Sequence, residues 1–399
     1  MSRRFFAALL GSGALAVGAM TAGVAGAEAA APDLTHLSGL HAQRVCAKAP
    51  AGHAGCLAKV LVNDKGAIPM ATAPLASALS PTQLRAAYNL PAGGSGRTVA
   101  IVDAYGYPNL ERDLAAYRSF YGMPACTTGN GCLRILNQTG GSTPPSADLG
   151  WSQEQALDVD AVSATCPACN ILVVQSSSAS FTDLGAAVKT AAAQPGVVAV
   201  SNSYGGGDAP DSTYGTYYNH PGIAVTASTG DNGYKGGSYP ASSSYVTAVG
   251  GTTLKMSGTT RVSETVWSGA GSGCSTYNAA LPAASAFGTG CAKRAMADVS
   301  AAADPNYGGL SVYAPTSLTA SSWSQYGGTS ESAPIIASVY ALAGGGYSNA
   351  TPYAHPGSLF DITSGSNSKR KCPQTQWCTA RVGWDGPTGL GTPNGTGAF

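Results

Sequence analysis

The chain has 399 residues, enough for one large domain or two average ones. Its 21 Lys and Arg against 20 Asp and Glu give a formal net charge of +1, without the basic surplus typical of nucleic-acid binders. Only 10% of the residues are charged and 44% are hydrophobic, yet no stretch beyond the N-terminal segment is long and apolar enough to span a membrane. We therefore expect a globular protein rich in small residues, with neither nucleic acid nor a membrane as its partner.

The first 27 residues are typical of a secretory signal peptide. Arg3 and Arg4 form a charged start, residues 5–24 are apolar, and the AGA string at 25–27 provides a cleavage site. The arginine pair also resembles a twin-arginine signal, which ranks second to the general export route. An uncleaved anchor helix is the weaker alternative, because no charged flank follows. The pattern predicts a secreted, extracellular protein.

The ten cysteines agree with export, because an even count in an exported chain predicts disulfides. Closeness in sequence favours five local pairs. The predicted pairs are Cys46–Cys56, Cys126–Cys132, Cys166–Cys169, Cys274–Cys291 and Cys372–Cys378. The C-x-x-C string at 166–169 is also a candidate redox motif, but its context favours a structural disulfide. No histidine lies near a cysteine pair at zinc-finger spacing, so no zinc site is predicted.

From Ser80 onward, apolar runs alternate with stretches of helical spacing. Strands are predicted at 98–103, 171–175, 197–203, 223–228 and 246–250. Helices are predicted at 110–121, 151–164, 181–193 and 335–342. This alternation predicts an α/β fold with a doubly wound, mostly parallel sheet and helices on both faces, whose chemistry lies beyond the strand carboxyl ends. The Ser-, Gly- and Ala-rich region 255–325 is predicted to be mostly loop.

The string GGTSESAP at 327–334 precedes an apolar helical run and contains a candidate nucleophile. Ser330 lies between a Gly-rich turn and a helix, where the helix dipole favours developing negative charge and the serine amide can bind an oxyanion. The alternative is a serine that only caps the helix. The GTS-x-x-x-P spacing is rarer than a cap and favours the nucleophile.

Two carboxylates provide a candidate base for this serine. Glu154 and Asp158 are four residues apart, so on a helix they share one face and can titrate as a coupled pair. Glu154 would take the proton of Ser330, and Asp158 would orient Glu154. Asp160 falls on the opposite side and is not chosen. An exposed acidic helix face is the alternative, and the low charge content of the chain disfavours it.

A resemblance to the sedolisins, the serine-carboxyl peptidases, rests on several separate motifs. Asp231 follows a predicted strand within the string STGDNG at 228–233, which alone is typical of a turn. Glu154, Asp158, Asp231 and the GTS string at 328–330 occur in sedolisin order. Matching flanking strings are SYG at 203–205, YPA at 239–241, VGGT at 249–252 and DVS at 298–300. The similarity runs from about residue 80 to 393, almost the whole mature chain.

The resemblance implies a subtilisin-like fold and a complete catalytic set. Ser330 would attack the peptide carbonyl, Glu154 would act as base and then acid, Asp158 would support it, and Asp231 would bind the oxyanion. A carboxyl group donates to an oxyanion only while protonated, whereas Glu154 must be able to accept a proton. Reference carboxyl pKa values satisfy both conditions at roughly pH 3 to 5, a window that burial of Asp231 would move toward neutral.

The expected activity is therefore that of an acid endopeptidase acting as a monomer on protein or peptide substrates. Substrate is expected to pair in an extended conformation beside Ser203, Tyr204 and Gly205. Residues 28–80 are expected to be a short pro-segment or a permanent extension with its own disulfide, and residues 81–399 the peptidase domain.

The resemblance also implies one bound calcium ion. Its ligands would be the carboxylates of Asp361 and Asp385 and the carbonyls of Ile362, Arg381 and Gly383, an oxygen-only set that suits a hard cation. Arg381 stands where the family has a glycine. A carbonyl ligand tolerates this replacement, although the guanidinium could weaken binding of the ion. The alternative is a pair of ordinary turn aspartates.

Two other readings of the chain compete with this one. The first is a secreted pseudopeptidase that binds peptides without cutting them, although it would have little reason to keep all four catalytic side chains. The second is a neutral subtilisin-type protease with Asp103 as its acid. None of the five histidines stands in the His-Gly-Thr string of subtilisins, which argues against that reading and leaves Asp103 as a structural residue at a strand end.

Overall fold

The computed structural model describes residues 39–345 and 347–399, which belong to one compact unit. The predicted signal peptide lies outside these residues. The strands are β1 Leu40–Arg44, β2 Gly55–Cys56, β3 Lys59–Asn63, β4 Thr98–Ala104, β5 Leu133–Asn137, β6 Asn170–Ser176, β7 Val197–Asn202, β8 Tyr204–Gly207, β9 Ala224–Ser228, β10 Ser238–Tyr239, β11 Thr247–Ser257, β12 Thr260–Val266, β13 Gly273–Cys274, β14 Ala295–Met296, β15 Val299–Ala302, β16 Leu310–Ser317, β17 Ala320–Gly327, β18 Leu359–Phe360 and β19 Thr392–Pro393. The helices are α1 Pro81–Ala87, α2 Leu110–Phe120, α3 Leu149–Thr165, α4 Phe181–Ala192, α5 Asp211–Tyr214, α6 Pro282–Ser285, α7 Thr329–Ala343 and α8 Thr351–Ala354.

A mostly parallel sheet forms the centre of the described chain. Its strand order is β12-β11-β9-β7-β4-β6-β5, with β15 also beside β11. Every pairing in it is parallel except that of β11 with β12. The predicted parallel architecture is therefore confirmed.

Successive residues of the central strands enter two separate hydrophobic cores. In β4, Val99 and Ile101 join the core on one face, while Ala100 and Val102 join the core on the other. Helix α4 packs on one face of the sheet, and α3 and α7 pack on the opposite face. This alternation follows from the two-residue period of a strand and explains why strands buried on both sides are apolar throughout.

The region 255–325 is less loop-rich than predicted. It contains β12 and most of an antiparallel hairpin made of β16 and β17, which pair from Leu310 with Tyr326 to Ser317 with Ala320. The sequence SSWSQYG in β17 is mostly buried although it is rich in serine. Serine side chains at buried positions of this strand hid the hydrophobic pattern on which the prediction rested.

The segment before α1 is part of the same compact unit as the remainder of the described chain. Strand β3 pairs with both β1 and β17 in an antiparallel sheet of order β1-β3-β17-β16. Strand β2 pairs separately with β8. Whether this segment is removed in the mature protein stays a prediction.

All five predicted disulfides are present in the described residues. The pair Cys166–Cys169 joins the C-terminal end of α3 to the start of β6, which agrees with a structural disulfide. Within residues 39–345 and 347–399, no helix is long and apolar enough to cross a lipid bilayer.

Candidate active site

Ser330 lies in the first turn of α7, directly after β17 and Gly328. Gly328 adopts a φ of 107°, a left-handed conformation that favours glycine. A Cβ atom at Gly328 would also collide with the carbonyl oxygen of Leu57 and lie 2.7 Å from Asp231 Oδ2. Glycine is therefore required here by conformation and by space. The turn leaves Ser330 fully buried at the positive end of a helix.

Pro334 is the proline of the GTS-x-x-x-P string, and its place in α7 explains the spacing. It lacks the N–H that would otherwise bond to the carbonyl of Ser330, four residues earlier in the helix. That carbonyl instead lies 3.2 Å from the hydroxyl of Ser203, beyond the end of β7. The hydroxyl of Ser228, at the end of β9, donates to the Thr329 carbonyl at 2.7 Å. Side chains from the central sheet therefore fix the first turn of α7.

Helix α3 brings Glu154 and Asp158 to the same place, and both side chains are fully buried. The Ser203 hydroxyl donates to Asp158 Oδ1 at 2.8 Å, and the Ser330 hydroxyl donates to the Ser203 carbonyl at 3.2 Å. The alternative of an exposed acidic helix face is therefore wrong. Asp160, which the sequence placed on another side of α3, accepts the backbone N–H of Tyr313 at 3.0 Å.

Burial changes the acidity of both carboxyl groups. It raises the pKa of Glu154 to about 8, against the lowering effect of the Ser330 hydroxyl and the Ala58 amide. Burial also raises the pKa of Asp158 well above its usual range, and the charge of Glu154 adds to this effect. Glu154 Oε2 accepts the Ala58 N–H at 2.7 Å, whereas Oε1 has no hydrogen-bond partner among the described residues.

Asp103 belongs to the same buried group, which the sequence analysis missed. It lies near the carboxyl end of β4, is fully buried, and neither of its side-chain oxygens has a hydrogen-bond partner in the described chain. Burial raises its pKa well above the usual range, and the charges of Asp158 and Glu154 raise it further. The available signal was an acid at the end of a buried parallel strand, the position where such sheets place their chemistry.

Asp231 follows β9 and contacts Thr329 in the first turn of α7. Its Oδ1 accepts both the N–H and the hydroxyl of Thr329 at 2.9 Å, while Oδ2 is buried without a partner in the described residues. Burial raises its pKa, while Lys59, Thr329 and Arg44 oppose the rise. Lys59 Nζ donates to the backbone carbonyl of Asp231 at 3.0 Å.

The predicted substrate-pairing residues Ser203, Tyr204 and Gly205 are covered by residues of the same chain. In the antiparallel pairing of β2 with β8, Cys56 lies opposite Tyr204 and Gly55 opposite Gly205. The next residue, Leu57, donates its N–H to the Ser203 carbonyl at 3.3 Å. The edge that sequence analysis assigned to substrate is therefore paired with an extended segment of the same chain, and its role in binding substrate stays a prediction.

No histidine in the described residues hydrogen-bonds to Ser330. His220 lies 2.9 Å from the Tyr217 carbonyl through its Nε2, and His53 contacts the Ala51 carbonyl. His36 lies outside the described residues. The role of Glu154 as the base in place of a histidine stays a prediction.

The two aspartates predicted to bind calcium lie in neighbouring C-terminal loops. Asp385 is fully buried, and its Oδ1 accepts the Thr388 N–H at 2.9 Å while its Oδ2 has no partner within the described chain. Burial raises the pKa of Asp385 to about 7, and the charge of Asp361 contributes to the rise. Asp361 Oδ2 accepts the Gly383 N–H at 2.8 Å. A buried carboxylate oxygen without a donor, close to a second carboxylate, fits a cation ligand.

The remaining predicted ligands are backbone carbonyls in the same two loops. Ile362 is buried beside Asp361, and Arg381 is exposed, so its guanidinium is free to extend into solvent. No group of three or more His, Cys, Asp or Glu side chains in the described residues could hold a metal ion. Any cation here would therefore depend on the two carboxylates together with carbonyl groups.

The fold and the buried Ser–Glu–Asp arrangement define a subtilisin-like protein. Residues 148–364 match the model of the subtilase family, which is more than half of the chain. The chain belongs to this subtilase family, in its sedolisin branch. It is 30% identical to kumamolisin from Bacillus sp. (strain MN-32) over 364 residues, and 33% identical to xanthomonalisin from Xanthomonas sp. (strain T-22) over 185 residues.

These matches differ in how much of each protein they cover. The kumamolisin match covers 80% of this chain and 62% of kumamolisin, and the xanthomonalisin match covers 39% of this chain and 21% of xanthomonalisin. A Pseudomonas sedolisin, described as a serine-carboxyl proteinase complexed with two molecules of pseudo-iodotyrostatin, superposes with a TM-score of 0.67 and 25% identity. That superposition covers 81% of this chain and 96% of the sedolisin. The predicted family and fold class are confirmed.

Proposed function

We propose that this protein is a secreted, acid-acting serine-carboxyl endopeptidase. The observation that carries the proposal is the convergence of Ser330 with the buried carboxyl groups of Glu154, Asp158 and Asp231, without a histidine among the described hydrogen-bond partners of the serine. Unpaired carboxyl groups are costly inside a protein, so a cluster of them beside a serine calls for a functional explanation.

In the proposed mechanism, Ser330 attacks the peptide carbonyl as Glu154 removes its proton. Glu154 then gives the proton to the leaving amine, and a water molecule repeats the sequence to release the acyl group. In this mechanism the Ser330 hydroxyl, which donates to the Ser203 carbonyl in the structure, turns toward Glu154 and then stabilises its ionised form. Asp158, held by the Ser203 hydroxyl, keeps Glu154 in position and shares its proton.

Asp231 is the proposed oxyanion donor. Its Oδ1 is held by Thr329, which leaves Oδ2 as the atom that can carry a proton toward the substrate carbonyl. A protonated carboxyl stabilises the negative oxygen that forms during attack, whereas an ionised one repels it. Because burial raises the pKa of Asp231, the donor persists to higher pH than a solvated aspartate would allow.

The two raised pKa values set opposite limits on activity. Glu154 must be ionised, so its raised pKa moves the acid limb toward higher pH. Asp231 must be protonated, so its raised pKa moves the alkaline limb in the same direction. Water that enters an open cleft reduces the effect of burial on both groups, and we expect the optimum of the open enzyme to remain acidic.

The proposal includes export and one structural calcium ion. Export is supported by the leader-like residues 1–27 and by disulfides typical of secreted proteins. The ion would be held by the carboxylates of Asp361 and Asp385 and by carbonyls of Ile362, Arg381 and Gly383, and it would supply charge neutralisation between the two loops. The buried, unpartnered Asp385 Oδ2 supports this assignment.

The test is cleavage of a denatured protein by the exported protein over a pH series from about 2 to 9, beside Ser330→Ala and Glu154→Gln. Acid cleavage that is lost in both variants is the expected result. Cleavage centred above neutral pH would contradict the role of Asp231. Protein freed of residues 39–57 that cleaves at no pH would favour the peptide-binding pseudopeptidase. In that case residues 39–57 would only fill its cleft.

A further inference from the structure

We propose that exposed Lys and Arg side chains beside the candidate active site form a docking surface for acidic segments of peptide substrates. The surface consists of Lys235, Lys369, Arg370 and Lys371, here called the basic face. The inference rests on the proposed function and adds a substrate class to it. That class is peptides whose acidic residues lie on the N-terminal side of the bond that is cut.

The formal net charge of +1 conceals an unequal distribution of charge between the interior and the surface. Most acidic side chains in residues 39–345 and 347–399 are buried or half-buried, among them the carboxyl groups of the candidate active site. The exposed acidic residues of these ranges are Asp64, Asp148 and Asp361, and exposed Lys and Arg side chains clearly outnumber them. The surface that a substrate meets is therefore positively charged.

Three of the exposed cations are consecutive in the chain. Lys369, Arg370 and Lys371 directly precede Cys372, which forms a disulfide with Cys378. No ion pair within the described residues includes any of the three. Neighbouring like charges repel one another, and the described fold offers no carboxylate partner that offsets this cost. A role outside folding would explain why the cations are gathered here.

The loop that carries the three cations is fixed against the loop that follows Asp231. The Asn367 carbonyl accepts the Tyr234 N–H at 3.4 Å, and a Cβ atom at Gly233 would lie 2.3 Å from the same carbonyl oxygen. The rings of Tyr234 and Trp377 are stacked with their centroids 6.3 Å apart. The two loops therefore pack together as neighbours at the candidate active site.

Lys235 connects the three cations to the active-site cavity. It follows Tyr234 directly, is exposed, and borders the same cavity of about 370 Å³ as Asp231. Lys369 is two residues beyond Asn367, so the Cα atoms of these two residues lie within about 7 Å of each other. Charges this close to one another act together, because the Debye length at 0.1 M salt is about 10 Å.

The position of Lys235 indicates which part of a substrate reaches the basic face. Shortly after Lys235, Ser238 in β10 pairs with Gly207 at the carboxyl end of β8. The Ser330 hydroxyl donates to the carbonyl of Ser203, directly before β8, so the cut lies toward the opposite end of that strand. A substrate that pairs antiparallel with β8, as β2 does, has its N-terminal residues at the carboxyl end. Acidic residues before the cut would therefore lie beside Lys235.

Two further acidic residues lie near this path. Asp208 accepts hydrogen bonds from neighbouring hydroxyl groups, and Asp361 accepts a backbone N–H, so each is held by donors other than the basic face. In the full chain, Arg44 and Lys48 border the same cavity. Asp231 is the sole acidic residue among the described residues that line it. Cations thus exceed carboxylates along the whole path.

The ligand that we infer is an acidic peptide rather than a nucleic acid. The basic face adjoins the groups that would cut a peptide bond and a strand edge that can pair with an extended chain. Clefts with cations of one sign at their edge attract anionic chains before contact, and steering of this kind raises association rates about 10- to 10³-fold at low salt. The expected consequence is a lower KM for acidic peptides.

The first experiment measures binding by the full chain with Ser330→Ala, so that no peptide is cut. The probe is a fluorescent Glu-rich peptide, measured by anisotropy at about pH 5, where most glutamate side chains are ionised. A Gln-rich peptide of equal length is its neutral counterpart. The basic-face variant combines Lys369→Gln, Arg370→Gln and Lys371→Gln. The matched control replaces by Gln three exposed lysines that do not border the cavity, Lys65, Lys189 and Lys255.

We expect the Glu-rich peptide to bind about tenfold more weakly to the basic-face variant, and to lose less than about twofold in the matched control. Raising the salt concentration from about 20 to about 300 mM should remove this difference. An equal loss in both variants, or no loss in the basic-face variant, would overturn the inference. Tighter binding of a DNA oligonucleotide of equal charge would also overturn it and indicate a general polyanion surface.

A charge-reversed variant shows whether the effect comes from charge rather than from damage to the fold. Lys369→Glu, Arg370→Glu and Lys371→Glu together should bind a Lys-rich peptide in preference to the Glu-rich one. Misfolding cannot produce this gain. A variant that binds neither peptide more tightly than the other, while it unfolds at the wild-type temperature, would contradict the inference.

Hydrolysis separates this inference from the proposed function. A peptide that the exported protein cuts is extended by a Glu block at its N-terminus or at its C-terminus. The N-terminal extension should lower KM with little change in kcat, and the basic-face variant should lose this preference while the matched control keeps it. Cleavage that depends on Ser330 with equal KM for both extensions would refute docking and leave the endopeptidase proposal standing. Binding that depends on the basic face, without cleavage of any peptide, would refute the endopeptidase proposal and leave the docking surface.

Discussion

Replacing Asp231 by asparagine tests the oxyanion proposal most directly. In the wild type, Oδ1 accepts two hydrogen bonds from Thr329 and Oδ2 has no partner among the described residues. The asparagine carbonyl can keep both bonds from Thr329, which places its NH₂ group where Oδ2 was. The substitution preserves shape and removes the need for a proton, so Asp231→Asn should be an oxyanion donor at every pH.

The size of the effect follows from the value of one such donor, about 10²- to 10³-fold in kcat, or about 2.7–4 kcal/mol. Where Asp231 is protonated, Asp231→Asn should lie within about tenfold of the wild type, because both then donate. Above the pKa of Asp231 the wild type should fall while Asp231→Asn continues, so their order reverses. Asp231→Ala should lose the full factor throughout the acid range.

The assay is kcat against pH for a peptide substrate, with protein freed of residues 39–57 so that the strand β2, which pairs with β8, does not compete. The wild type and the two Asp231 variants are compared at equal active-site concentration. If the alkaline limb of Asp231→Asn coincides with that of the wild type, Asp231 does not set that limb. If Asp231→Asn is as slow as Asp231→Ala at acid pH, the carboxyl is not a donor to the oxyanion.

Three further changes test other parts of the site. Lys59→Met removes a cation that stabilises the ionised form of Asp231, so the pKa of Asp231 should rise and the alkaline limb of peptide cleavage should move to higher pH. An unchanged or lowered limb would contradict this sign. Pro334→Ala restores an N–H that competes for the Ser330 carbonyl, so kcat should fall several-fold with little change in the unfolding temperature. A marked fall in the unfolding temperature together with kcat would indicate a purely structural proline. Calcium at about 100 times its dissociation constant should stabilise the wild type by about 2.7 kcal/mol and leave Asp385→Asn almost unchanged in thermal unfolding, whereas equal stabilisation of both would exclude this site.

Local features of the sequence account for most of the predicted fold. The strand predicted at 98–103 is observed at Thr98–Ala104, and the helix predicted at 181–193 is observed at Phe181–Ala192. Both are buried elements whose periodicity comes from packing on a single sheet, so a short window contains the signal. The Glu154 and Asp158 pair was predictable for the same reason, because four residues on a helix fix a common face.

The position of residues 53–59, which lie across the candidate active site, could not be predicted in this way. That position depends on pairing Lys59 with Gly327 and Gly55 with Gly205, partners far away in the chain. A two- or three-residue strand such as β2 has too few residues to show a period, and its backbone bonds carry no side-chain pattern. The sequence indicated a disulfide-closed extension, but only the fold shows which peptide bond of it faces the catalytic groups.

The position of Ala58 beside Glu154 also bears on how a crowded set of carboxyl groups can supply a base. Burial raises the pKa values of Glu154, Asp158 and Asp103, and the charge of Glu154 raises those of the two aspartates further, so ionisation of Glu154 disfavours ionisation of the other two. The hydroxyl of Ser203 stabilises the charged form of Asp158, but of the three groups only Glu154 is stabilised by an amide, that of Ala58. A substrate amide in the same place would favour ionisation of the group that must accept the serine proton. Water outside the cleft cannot favour ionisation of one of these carboxyl groups over the others. A peptide bond correctly placed in the cleft favours ionisation of Glu154.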